Sequence, residues 1–224
     1  MSCVLVSACS SPETNAPTGG DTSQAADALP PVDEAELADN PFRQDWQTPF
    51  GVPPFAEIED DDYMPAISKA IEELRSEISA ITAITSEPTF ENTILALELA
   101  GSPLDKVAYT FNNVTNTDSN DMLRELETQI FPLLTREFDA IVLNEVLYER
   151  VKTVYDARDE LDLDEQQARL LELTHRRFVR AGAIFAPEVK ERVAEINAKI
   201  SGLNTQFAQN LLLETKGFTL ELKE

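Results

Sequence analysis

The 224-residue sequence predicts an all-α protein, and three observations carry that expectation. From Asp62 onward, apolar residues recur at alternating spacings of three and four, the period of a single helix face. Between these runs stand residues that start and stop helices, such as Thr89 before one run and Gly101 after it. Only the closing "GFTLELKE" alternates like a strand, and a lone strand has nothing here to pair with. With 42% apolar residues the chain can bury a real core.

The front of the chain is a different polymer from the rest. Residues 1–62 carry 13 acidic side chains against Arg43 alone, whereas the whole chain has 41 acidic and 18 basic residues, a net charge of −23. Such a balance repels a phosphate backbone, so nucleic acid is excluded as an expected partner. The start, "MSCVLVSACSSPETNAPTGGD", has a short apolar run that stops at small residues before Cys9. It resembles the end of a bacterial lipoprotein signal peptide, with Val6-Ser7-Ala8-Cys9 in the place of the cleavage box. On that resemblance residues 1–8 are a partial signal peptide, Cys9 is the lipidation site, and Cys3 leaves with the signal, so no disulfide forms. No Lys or Arg precedes Arg43, which places the basic start of such a signal upstream of Met1. The implied location is the bacterial cell envelope, lipid-anchored on the periplasmic side; the alternative is a soluble periplasmic or cytoplasmic protein. No stretch approaches the roughly 18 uninterrupted apolar residues of a membrane span, so membrane contact is expected through a lipid anchor only.

Residues 9–40 read as a flexible acidic linker rich in Ser, Thr, Asp, Glu, Pro and Gly. Residues 41–224 form the helical region. It opens on prolines interleaved with Phe42, Trp46, Phe50, Phe55 and Tyr63, with Phe90 further on, which predicts an extended segment pinned by aromatic anchors. Met64, Ile67, Ile71, Leu74, Ile78 and Ile81 then make one stripe of a helix about five turns long. Thr89 and Gly101 bound the next helix, and Ser102-Pro103-Leu104-Asp105 supplies a cap, a first-turn proline and an acidic residue for another. Further helices are predicted near 119–143, 145–161, 164–184 and 187–215. On the last, Val189, Val193, Ile196, Ile200, Leu203, Phe207 and Leu211 share a seam near heptad spacing. The chain is expected to end in an unpaired strand.

No catalytic constellation can be assembled from these residues. Zinc hydrolysis commonly uses H-E-x-x-H, which puts two imidazoles one turn apart on a helix face with Glu as base. This chain has one histidine, His175, so that site cannot form, and catalytic, cofactor-binding and metal residues are all expected to be none. G-x-S-x-G, G-x-x-x-x-G-K-[ST] and G-x-G-x-x-G are also missing. The run Glu59-Asp60-Asp61-Asp62 lacks the spaced ligands of a calcium loop and is read as charging the start of the following helix. His175, between Thr174 and Arg176-Arg177, reads as a partly buried packing residue rather than a general base.

The blocks "NPF", "PPFAEIEDDDYMPAISKAI", "PTFENTILALELAGSPLDKVAYTFNNVTNTDSNDMLRELE" and "RLLELTHRRFVRAGA" resemble a known family. It is the N-terminal region of the thimet oligopeptidase and peptidyl-dipeptidase zinc metallopeptidases, nearer to the bacterial dipeptidyl carboxypeptidases. The resemblance covers about residues 40–224. It implies an all-helical, neurolysin-like, two-lobed fold around a deep channel, with short peptides as substrates. It also implies zinc held by H-E-x-x-H and a downstream Glu in a C-terminal lobe, none of which this sequence contains. The chain is therefore expected to be the N-terminal, channel-forming part, truncated before the zinc-binding lobe and binding no zinc itself. Its expected partner is the missing C-terminal catalytic lobe, docking on apolar surface exposed along the 64–81 and 189–211 stripes. The alternative is a non-catalytic helical lipoprotein that binds peptides or a protein partner.

Overall fold

The computed structural model describes residues 29–218, and these form helices and short turns with no strand among them. Cys9, the signal-like start and residues 219–224 of the expected strand lie outside the described residues. Of that closing stretch, Gly217 ends a helix and Phe218 is extended.

Order begins earlier than the expected linker boundary. Asp33 accepts a hydrogen bond from the Ala35 N–H and caps the short helix α1, Glu34–Ala38. Leu37 on α1 is buried, and Lys69 pairs with Glu34 at 2.8 Å. The buried Asn40 donates to the Asp62 carbonyl at 2.9 Å and accepts from the Phe42 N–H at 3.0 Å. These contacts fasten the end of the acidic segment to the helical body.

The proline-rich stretch runs outside the body through single turns at Pro41–Arg43, Pro49–Gly51 and Asp60–Asp62. Four of the six expected aromatic anchors pack. Phe42 meets Trp46 at 6.0 Å and Tyr63 at 5.4 Å between ring centroids, Tyr63 meets Phe111 at 5.0 Å, and Phe90 is buried. The Lys106 ammonium sits 4.1 Å from the Trp46 ring and donates to the Gln44 carbonyl at 2.7 Å. Phe50 and Phe55 are exposed and anchor nothing. Phe50 takes the left-handed conformation at a turn (φ 58°), which carries its ring into solvent.

Helix α2, Tyr63–Thr82, is the centre of the fold and packs against α4, Ser102–Thr117, α5, Asp121–Val142, and α6, Glu145–Asp156. Ile67, Ile71, Leu74, Ile78 and Ile81 are buried there. This corrects the expectation that the 64–81 stripe offers exposed surface, because α4, α5 and α6 pack around α2 and use its apolar face. The 90–101 segment also departs from a plain α-helix. Thr89 caps it through the Asn92 N–H, but the first turns, Phe90–Leu95, are π-helical before α3, Ala96–Leu99. Gly101, at φ 82°, then turns the chain, and its N–H donates to Glu77 at 2.8 Å. Gly101 is thus the cap of α4, whereas Ser102, expected in that role, donates backward to the Leu99 carbonyl.

The remaining helices start and stop on capping residues. Asn120 caps α5, Asn144 caps α6, and Asp164 with Gln167 forms a reciprocal capping box at α7, Glu165–Ala181. Pro132 lies inside α5, which continues through it. Gly182 (φ 99°) ends α7, with the Ala183 N–H returning to the Phe178 carbonyl and the Gly182 N–H to Val179, a Schellman closure. Pro187 opens α8, Pro187–Gly217, which lies along α5.

Candidate functional site

A zinc site of the kind the resemblance implies needs three or four ligands converging on one point. Among the described residues no three His, Cys, Asp or Glu side chains converge in this way, so these residues do not fit the metal. His175, on α7, packs flat against Tyr155 of α6, with centroids 3.8 Å apart and planes 6° from parallel. Tyr148 adds a looser stack at 6.3 Å and also stacks on Phe178. Burial of the imidazole holds its pKa below the ordinary 6.5; Lys152 and Arg158 push the same way and Asp156 opposes them. The imidazole thus fastens α7 to α6 through a face-to-face ring contact.

The acidic run 59–62 is occupied with its own turn. Asp62 accepts from the Glu59 N–H at 2.7 Å, and Asp60 accepts from the Asn120 amide at 2.6 Å. Its charge falls on the start of α2. Beside it the Tyr63 hydroxyl is pushed up to about 12, first by burial and then by Asp60 and Asp62.

Sequence reasoning missed two arginines. Arg150 is buried on α6 and donates to the carbonyl of Ile84 at 2.9 Å, to Asn92 Oδ1 at 2.9 Å and to Thr93 Oγ1 at 3.1 Å. One planar fork therefore ties α6 to the loop after α2 and to the π-helical turn. Arg75 on α2 grips both oxygens of the buried Glu137 on α5, at 2.8 and 2.5 Å. No local pattern marks either residue, since their partners lie 57 to 66 positions away.

Glu137 also borders a cleft of about 580 Å³ between α2, α3, α4, α5 and α7. Leu74, Ile78, Leu104 and Phe178 give it apolar walls, and Glu98, Asp105 and Arg177 add charge. Burial raises the Asp105 pKa, Glu98 adds to the rise, and Arg177 opposes it.

Helix α8 is laid down with its polar face inward. Asn197 donates to both oxygens of Asp139 on α5 at 2.9 and 3.0 Å, Ser201 accepts from Thr135 at 2.9 Å, and Gln209 donates to the Arg124 carbonyl at 2.6 Å. Thr205 on the same face is buried. Burial raises the Asp139 pKa while the Asn197 bonds oppose the rise. The apolar seam points the other way. Val189, Ile196, Ile200, Leu203, Phe207 and Leu211 are exposed, from 43% at Ile196 to 69% at Phe207. Here the expectation of exposed apolar surface along 189–211 holds. No helix among the described residues is long and apolar enough to cross a membrane.

No family model matches the chain. It is similar to the dipeptidyl carboxypeptidase of Salmonella typhimurium, 36% identical over 180 residues, covering 80% of this chain and 26% of the relative. The dipeptidyl carboxypeptidase of Escherichia coli K12 is 37% identical over 177 residues, covering 79% and 26%. Oligopeptidase A of Escherichia coli K12 is 27% identical over 172 residues, covering 77% and 25%. The chain thus spans about a quarter of the length of the curated relatives it matches.

Proposed function

The chain belongs to the thimet oligopeptidase and peptidyl-dipeptidase family, in its N-terminal region, and from that premise we propose that it serves as helical scaffold in a peptidase acting on short peptides. The observation that carries the reading is its 36–37% identity to two dipeptidyl carboxypeptidases over about four fifths of its length. Zinc hydrolysis belongs to this proposal. The described residues supply no ligand set for the metal, so the metal and the bond cleavage are assigned to polypeptide that the relatives have beyond the matched quarter.

This chain's own contribution is rigidity and shape. A scaffold that narrows a channel must hold its helices in fixed register while a peptide is bound. The Arg150 fork and the Arg75–Glu137 pair join elements distant in sequence, and the Tyr155–His175 stack fastens the consecutive helices α6 and α7. A lipid tether at Cys9, on the periplasmic side of a bacterial membrane, belongs to the same proposal and rests on the signal-like start.

The test is peptide hydrolysis with zinc analysis of the purified chain. An N-blocked oligopeptide with a free C-terminus should release no dipeptide in its presence, and the protein should carry no stoichiometric zinc. Dipeptide release by this chain alone, abolished by a chelator, would overturn the scaffold reading.

A further inference from the structure

Helix α8 has solved its polar problem and left its apolar one open. Its Asn197, Ser201, Thr205 and Gln209 face is committed to α5 by the hydrogen bonds above, so the helix cannot rotate to bury the seam without breaking them. The seam residues Val189, Val193, Ile196, Ile200, Leu203 and Phe207 follow one another at spacings of 4, 3, 4, 3 and 4. That is the two-position heptad repeat by which one long helix receives another, and it runs for about 27 Å at 1.5 Å per residue.

Charge decides what kind of helix fits. Over residues 187–213 of α8 three basic side chains balance three acidic ones, but Lys190, Arg192 and Lys199 hold the heptad positions beside the seam, whereas Glu188, Glu191 and Glu195 stand outside those positions. Arg192 and Lys199 stand one residue before Val193 and Ile200, seven apart, in the flanking heptad position that meets a partner's edge. Lys199 and Lys190 have no salt-bridge partner within 4 Å among the described residues, whereas Arg192 pairs with Glu195 on its own helix. A second copy is a poor occupant. A two-fold contact sets a patch against itself, so an antiparallel pair would bring Arg192 and Lys199 toward their own counterparts, and a parallel pair would bring them no acidic residue.

We infer that the outer seam of α8 is a docking surface for a long amphipathic helix whose heptad apolar stripe is edged by Asp and Glu. The inference rests on the scaffold reading for the source of that helix, the polypeptide that the relatives have beyond the matched quarter. The surface itself is defined by the seam and its basic edge.

Two designed three-heptad peptides test it, each with Leu at both core positions, one with Glu and one with Lys at the flanking positions. Like charges keep each peptide from pairing with itself. Fluorescence anisotropy should show the Glu-edged peptide binding the chain at least about tenfold more tightly than the Lys-edged one, with the preference shrinking at high salt. The double variant Leu203→Asp/Phe207→Asp alters only exposed side chains, so circular dichroism should stay helical while binding weakens about thirtyfold or more. Equal binding of the two peptides, binding indifferent to the double variant, no binding of either, or a dimer of the chain that the variant dissolves would each overturn the inference. None of these outcomes measures hydrolysis, so the scaffold reading stands or falls separately on the dipeptide-release assay.

Discussion

His175 shows how one residue type can carry opposite roles depending on what surrounds it. A single imidazole beside two arginines gives no hint of its partner, and the structure supplies one in Tyr155 at 3.8 Å. The stack has a pH signature. Burial holds the His175 pKa below 6.5, so below that pH the unfolded chain binds a proton that the folded chain refuses, and stability falls as the solution is acidified. His175→Phe keeps a flat ring but cannot protonate. Its urea midpoint should therefore drop less than that of the unaltered chain between about pH 7.5 and pH 5.5; equal drops would show that the imidazole does not contribute. Arg150 illustrates the opposite limit of legibility. A basic residue in an amphipathic run reads as solvent-facing, and only the fold brings Ile84, Asn92 and Thr93 around it.

Among elements, α2 and α8 carry similar apolar stripes with opposite fates. Sequence periodicity identifies both stripes and correctly makes both segments helical, but it says nothing of how many neighbours each helix has. Helix α2 is surrounded and buries Ile71 completely, while α8 touches α5 with its polar face and leaves Ile200 half exposed. Ile71→Ala should therefore cost about 2–4 kcal/mol in denaturant unfolding, the transfer loss plus a cavity. Ile200→Ala should change stability by no more than about 0.5 kcal/mol in the same assay, as exposed substitutions do. Comparable costs would mean that α8 buries its seam within this chain. Of the caps, Thr89 is legible in the sequence and satisfies its helix start through the Asn92 N–H, while Asn144 and Asp164 prove to cap α6 and α7 by the same kind of short-range bond. The π-helical turn at 90–95 and the replacement of Ser102 by Gly101 as cap were not legible, because the Glu77 carboxylate and the Arg150 fork that hold them come from other helices.

For the whole molecule, the proposed tether makes a prediction independent of the fold. In a bacterial host, the chain behind a complete lipoprotein signal should incorporate radiolabelled palmitate and sediment with membranes, and Cys9→Ser should remove both properties by about tenfold or more, as loss of a stable multi-chain anchor requires. Labelling that survives in Cys9→Ser would sink the assignment. The sequence by itself determined that the body is helical, where most helices begin and end, that the front of the chain is acidic, and which family's motifs it carries. These follow from period, capping chemistry and composition, all of which act over a few residues. Only the tertiary structure decided which apolar stripe becomes core and which stays on the surface, and which charges are clamped. The physical reason is that burial and pairing depend on neighbours brought together from far along the chain: Arg75 with Glu137, Arg150 with Thr93, and Asn197 with Asp139, the contact that turns the apolar seam of α8 outward.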